Sequence, residues 1–546
     1  MYALSFPKVP VIIGVALAAA LMMVGLGAIL ALAITPISEG LGSFFTALDG
    51  DRVRYSIKSA GLQAFLSVLF SIAIAIPASI SLSRRPYWRG IPLLIMIISL
   101  AMVLPTTVAA MGLLAVWGRN GVISWACGGF CDVNLYGLHG VVIAHMMLNV
   151  PLAMRVMMPL LQSIPDAKWR LSAHLGMTSF DRFRHIEWPS LRGAIPGLAS
   201  LIFLLCFTSF SLVLMLGGGP KVTTLEVEIY SAIRFDFNLT AAAGLSLIQF
   251  ALTALVVAGL AIFGGITSSP LASFRPSPLA RIDLNRFDRG FDLIMIAVII
   301  GLMALPVVMV AIKGFNLELL TLLKRLQFLN ALKASASVAI VTSGLVTILA
   351  LLMATAKAGL SLPYRHGQGQ LARYARVIMD QGVMLYLVIP SVVLGTSAFI
   401  LLRAKGDVFG YAFGVVVMAN TLLALPFAYR LLEQRMITVL ARHDRLALQL
   451  GITGFTRLKT LTLPALRQDI GLVAGLSAAL SLGDLGVIAL FANADFRTLP
   501  WLLYQLSGKY AAAEANALAL VLLLLTLSLF VVTRVMMQRL LGGRYA

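Results

Sequence analysis

Pro151-Leu152-Ala153-Met154-Arg155 returns as Pro426-Phe427-Ala428-Tyr429-Arg430, and the echo continues without a gap. Leu175-Gly176 meets Leu450-Gly451, Phe180 meets Phe455, Arg182 meets Arg457, Pro189 meets Pro464, and Leu191-Arg192 meets Leu466-Arg467. Every pair stands 275 positions apart (451 − 176). A register held from residue 151 to residue 192 is a duplication. The chain therefore reads as two tandem halves, 1–265 and 291–546, joined by a Ser-, Pro- and Arg-rich linker at 266–290.

What surrounds the repeat is apolar. The 546 residues are 60% hydrophobic and 12% charged, with a mean hydropathy of +0.95. A soluble fold of this size cannot hide so much apolar surface, whereas a protein solvated by acyl chains need not. A helical span takes roughly 20 mostly apolar residues. Such runs lie near 11–34, 57–82, 91–117, 139–163, 194–216 and 241–265 in the first half. In the second they lie near 291–313, 331–356, 377–402, 409–433, 470–491 and 514–537. The fold class is all-α integral membrane, with about twelve spans as two six-helix units. Lys8 precedes the first run, but the run is long and lacks a small-residue cleavage site, so it reads as an uncleaved anchor.

The net charge of +20 does not point to nucleic acid, because the basic residues sit in short segments between apolar runs. One set of connections carries Arg84, Arg85 and Arg89, then Arg170, Arg182, Arg184 and Arg192, and later Arg445, Arg457, Lys459 and Arg467. The alternate connections mix signs, as in Asp49, Asp51, Arg52 and Arg54, or Glu226, Glu228, Arg234 and Asp236. The positive-inside rule then places both termini in the cytoplasm. Both copies of the repeat fall on that side, so the repeat is parallel.

The duplicated loops, 165–193 and 440–468, have a local logic. Leu171 and Leu175, like Leu446 and Leu450, are four apart and share the face of a short helix. Gly176 and Gly451 suit its C-terminal cap, where glycine takes the left-handed conformation cheaply. Thr178 and Thr453 fit the N-cap of a second helix. That helix is expected to stop before Pro189 and Pro464, since the residue preceding proline disfavours helix. Each loop is a helix–glycine–helix bracket with a basic, aromatic edge. An isolated copy reads equally as a tie between spans; duplication at one topological place favours two equivalent docking sites for a cytoplasmic partner.

Gly176, nine residues, Ile186, one residue and Trp188-Pro189 resembles the cytoplasmic signature of binding-protein-dependent ABC importer permeases. Gly451, nine residues, Leu461, one residue and Leu463-Pro464 resembles it more closely. The resemblance implies that this loop holds the coupling helix seated in a cleft of the ATPase subunit, with Phe180 and Phe455 near the contact. It also assigns Arg170, Gly176, Arg182, Pro189, Arg445, Gly451, Arg457 and Pro464 to that coupling region. Where the family often has Glu-Ala-Ala, this chain has Arg170-Leu171-Ser172 and Arg445-Leu446-Ala447, so no contact of that glutamate carries over. Further stretches are similar to the fused thiamine permease family: Gln63-Ala64-Phe65-Leu66-Ser67, Glu187-Trp188-Pro189, Gly217-Gly218-Gly219-Pro220, Gly483-Asp484-Leu485-Gly486-Val487, and Asp495-Phe496-Arg497-Thr498-Leu499-Pro500. That resemblance implies uptake of thiamine, and of its phosphate esters as a further candidate, from a periplasmic binding protein across a bacterial inner membrane. ATP and Mg would then act on two copies of a cytoplasmic ATPase. Related fused permeases carry ferric iron, so a ferric or other small-solute permease is the alternative.

Asp484 lies inside an apolar run, where an acidic side chain costs roughly 2.5–3.5 kcal/mol on insertion scales. Its repeat partner is Ser209 (484 − 275). Two readings stay open: a carboxylate that eases a cation past the midplane, or one hydrogen-bonded to neighbouring helices. Gly483 and Gly486 read as close helix packing, and Phe207, Phe210 and Phe491 as gate or core aromatics. No Gly-x-x-x-x-Gly-Lys-Ser/Thr occurs, so energy comes from a partner or a gradient. Asp484 stands nearly alone in the spans, which argues against an ion-coupled secondary transporter. The six histidines form no close ligand set, so no metal site is expected, and no nucleophile arrangement marks an enzyme. Cys127 and Cys131 fall in an outer loop, where a disulfide is allowed and two free thiols are the alternative.

Overall fold

Within hydrocarbon every backbone N–H and C=O must be satisfied inside the segment, so long apolar runs become helices. The computed structural model describes residues 8–39, 50–85, 90–101, 103–119, 121–126, 134–219, 222–263, 286–361, 370–404, 406–452, 454–509 and 511–541. All regular structure in these residues is helical. Nine of the described helices are long and apolar enough to cross a membrane, and two bent helix pairs raise that to eleven. Cys127, Cys131 and most of the linker at 266–290 lie outside the described residues.

Continuous helices match eight of the expected runs, among them Asp51–Ser83, Leu138–Gln162, Leu326–Ser361 and Ala412–Gln449. The other four are broken. The run 91–117 forms two helices, Ile91–Ala101 and Thr106–Trp117, with Pro105 extended between them (φ −57°, ψ 136°). The run 377–402 turns by 95° at Pro390. Proline cannot donate into the preceding turn and pushes its predecessor out of helix, which hydropathy alone does not register. The remaining two breaks follow the repeat. Helices Ile195–Phe207 and Leu463–Gly483 end, and short helices Ser211–Leu216 and Gly486–Phe491 resume 275 positions apart (486 − 211).

One expectation fails in both copies. The second bracket helix does not stop at proline. Ser179–Leu191 is one helical run containing a π turn at Phe183–Glu187, with Pro189 just inside the segment that follows. Leu458–Thr462 is the matching π turn before Pro464, again 275 positions on (458 − 183). The wide turn bonds Trp188 N–H back to Phe183 O, and the missing proline donor falls at a restarted helix N-terminus, where it is tolerated.

Each half lends its first helix to the other. Lys8–Glu39 packs on Leu326–Ser361 and Gln370–Val388. Arg286–Gly314 packs on Asp51–Ser83 and Thr106–Trp117. At the first crossing the Tyr386 hydroxyl donates to Leu21 O at 2.7 Å. A Cβ on Gly382 would stand 2.4 Å from Ala18 O, so only glycine permits that approach. The halves also share a buried core, in which Phe210, Leu225, Ile229 and Tyr230 meet Val392, Leu485, Val487 and Trp501.

Candidate brackets and the seam between the halves

The first bracket opens with helix Asp166–His174. Gly176 follows at φ +62°, Gly176 N–H donates to Ala173 O, and Met177 N–H donates to Ser172 O at 3.0 Å. These are the two bonds of a Schellman cap. In the second copy Gly451 sits at φ +63° and Ile452 N–H donates to Ala447 O at 2.9 Å. A Cβ at either glycine would meet open space, so backbone angle rather than crowding requires glycine there.

Thr178 then caps the second helix. Asp181 N–H donates to its hydroxyl at 3.2 Å, while Thr178 N–H donates to Asp181 Oδ2 at 3.1 Å, completing a capping box. The Thr178 hydroxyl, followed by its backbone N–H, holds the exposed Asp181 carboxyl below the ordinary carboxylate range. Thr453 and the side chains of Arg445 and Phe455 lie outside the described residues.

The outer face of the brackets is apolar and open. Leu171 is 57% exposed, Phe180 66%, and Leu446 and Leu450 share that exposure. Arg170 also lies toward solvent. Arg182 and Arg457, expected on the basic outer edge, are buried instead. Arg182 donates to Met177 O at 3.1 Å and pairs with Asp288 at the start of the crossing helix from the second half. Arg84 joins the same cluster, bonding Glu187 at 3.1 Å and Asp288 at 3.1 Å, while Arg85 bonds Asp292 at 3.0 Å. The second half uses other residues: Lys357 pairs with Asp380, and Arg430 bonds Glu433 at 3.1 Å. Counting basic residues could not separate outward charges from inward ones, because pairing depends on acids from distant helices.

At the other polar feature, Asp484 occupies the break after Gly483, with Oδ1 accepting from Gly486 N–H at 3.1 Å. Its Oδ2 is closed from solvent and has no hydrogen-bond partner. Ser209 lies at the matching break, and both residues keep partial surface exposure. Gly483 packs against Pro105 of the first half and Gly486 against Ser391, so both glycines are close-packing positions. Phe210 is buried edge-on to Tyr230, and Phe491 packs on Phe399. Glu226, assigned to an outer connection by the mixed charges around it, is fully buried on helix Leu225–Arg234. Loop charge statistics hid it. Among the described residues no three His, Cys, Asp or Glu side chains are grouped to hold a metal ion.

Paired spans, swapped first helices and a polar break at the seam define a multi-span membrane permease. The chain belongs to the family of thiamine transport system permease proteins. It is 38% identical to the thiamine transport system permease protein of Brucella abortus (strain 2308), over 93% of this chain and 91% of the relative. With that of Escherichia coli (strain K12) it shares 36% identity over 83% of each chain. A Haemophilus influenzae protein provisionally named a ferric transport system permease is 25% identical over 38% of this chain and 32% of its own length. No family model matches the chain.

Proposed function

We propose that the chain is the membrane subunit of an ATP-driven importer that carries thiamine from periplasm to cytoplasm through a bacterial inner membrane, with both termini cytoplasmic. The observation carrying this reading is near-full-length similarity to thiamine transport system permeases. The ferric-named relative is too partial a match to favour an iron substrate.

ATP hydrolysis belongs to a partner, and the two brackets support a pair of ATPase subunits, one beneath each half. Leu171, Leu175 and Phe180, with Leu446 and Leu450, supply apolar contact, and Arg170 supplies charge at the rim. Gly176, Gly451, Pro189 and Pro464 set the bracket shape, while Arg182 and Arg457 brace it from inside. A periplasmic binding protein delivers the solute. Closure of the ATPases on ATP draws the brackets together and turns the cavity between the halves outward; hydrolysis reverses this. Nucleotide drives the exchange only through its different affinity for the two states.

Reconstitution of the chain with its ATPase and binding protein in liposomes tests the reading. Labelled thiamine should accumulate with ATP enclosed on the bracket side and not without it. Accumulation independent of ATP, or none with thiamine, overturns it.

A further inference from the structure

Helix Leu225–Arg234 aligns Glu226, Tyr230 and Arg234 at four-residue intervals, so all three share one face. That helix packs on Ser391–Arg403 and Gly486–Phe491 of the second half. Arg234 is already committed there: it donates to Ala492 O at 3.1 Å and lies 5.9 Å from the Trp501 ring centroid. Glu226 has no such partner. It is 0% exposed, and neither of its carboxylate oxygens receives a hydrogen bond. Asp484, two residues before the helix Gly486–Phe491 that packs on this one, has its own unpartnered Oδ2.

Carboxylate oxygens closed from solvent repel when brought to one helix crossing, and the cost of leaving both groups there unneutralised is high. The arrangement calls for one positive charge between them. Aromatic rings pack along the same helix face. Phe210, adjacent in sequence to Ser209, meets Tyr230 edge-on with centroids 5.6 Å apart, and Trp501 and Tyr504 lie 5.5 Å apart. Ring faces attract cations and stack on flat heterocycles. A hard metal ion would need more oxygen ligands than two carboxylates supply, whereas an organic cation of diffuse charge needs only these groups.

We propose that Glu226 and Asp484, one from each half, form a binding site for a flat, aromatic organic monocation, walled by Phe210 and Tyr230. Building the site from both halves makes it sensitive to their relative motion. Binding is strong while the carboxylates converge and weak once they part, as a conduit that must release its cargo requires. The proposal rests on the thiamine reading, since the thiazolium ring carries the positive charge and the pyrimidine supplies the second flat ring.

The test is binding of labelled thiamine to the purified permease–ATPase complex without the binding protein, with uptake measured in parallel. Glu226→Gln and Asp484→Asn should each weaken binding at least ten-fold, with Asp236→Asn, on the exposed end of the same connection, binding as the parent does. An uncharged analogue of the same ring system should fail to compete. Tyr230→Leu keeps both carboxylates and should also weaken binding, so the site remains testable if a carboxylate variant does not assemble. Parental binding and uptake in both carboxylate variants overturns the site, because the pair then needs only a shared proton. So does absence of thiamine binding by a complex that still takes up thiamine when the binding protein is added, an outcome that leaves the importer reading standing. Failure of the parent complex to take up thiamine under any of these conditions is the separate failure of that reading, and overturns both.

Discussion

Arg84 Nη2 donates to Glu187 Oε1 at 3.1 Å and thereby fastens the first bracket to the end of a membrane-spanning helix. Its Nη1 reaches Asp288, so one guanidinium ties together three segments, including the helix that crosses from the second half. Arg84 is only 7% exposed. Removing it takes one partner from the buried Glu187 and one from the buried Asp288, and breaking a buried ion pair costs about 3 kcal/mol or more. Arg84→Ala should lower the thermal midpoint of the purified protein markedly. Arg84→Lys should recover part of the loss, since an ammonium lacks the planar fork. An unchanged midpoint in Arg84→Ala would mean that the cluster does not hold the bracket.

Gly176 and Gly451 tolerate the volume of a side chain but not its backbone preference. A left-handed non-glycine residue costs roughly 1–2 kcal/mol. Gly451→Val should therefore reduce ATP-dependent uptake more than Gly451→Asn, because asparagine visits that conformation more readily. Equal uptake in the two variants contradicts a role for the angle.

The exposed leucines separate docking from folding. Leu171→Asp with Leu446→Asp alters surface positions, so thermal stability should stay within about 0.5 kcal/mol of the parent. Co-purification of the ATPase should nevertheless fall sharply. Retention of the ATPase at parental stoichiometry would falsify the assignment of these faces as its seats.

Asp181 gives the first bracket a defined pH response. Its carboxyl is held below the ordinary range by the Thr178 hydroxyl and N–H. A depressed folded-state value contributes stability that is fully present above the unfolded value of about 3.9 and is lost as pH falls through the folded value. Hydrogen exchange across 178–187, corrected for intrinsic rate, should show the cap intact at neutral pH and weakening only in that acid window. Thr178→Ala should expose the segment at neutral pH and flatten the dependence. Identical profiles for the two proteins rule out the cap as the source.

Gly382 tests the crossing of the first helix. A side chain there meets Ala18 O within 2.4 Å of its Cβ, a contact that requires helix displacement. Gly382→Val should destabilise the protein by about 1–3 kcal/mol, as overpacking does, and a cysteine pair placed across the crossing should cross-link less efficiently. Parental stability and cross-linking would place the first helix elsewhere.

Several features were legible from residues alone because their causes are local. Leucine spacing and a following glycine specify the end of a short helix, and Gly176 and Gly451 take the left-handed angle that this spacing calls for. Hydropathy located the apolar runs, since backbone bonding in hydrocarbon forces helix whatever the neighbours. It missed the breaks at Pro105 and Pro390, where apolar composition persists while backbone geometry changes. The helical path through Pro189 and Pro464 depends on the π turn just before each, which allows the helix to restart at proline.

The sequence by itself determined the period of 275, the membrane-spanning character and the position of both brackets. Each follows from composition or from contacts within a few turns of one helix. Only the tertiary structure decided that Arg182 turns inward to Asp288, that each first helix crosses to the other half, and that Glu226 lies buried on a helix packed against the second half. The environment of a charged side chain is set by distant helices brought against it. No local pattern records which acid and which base will share a dry interface.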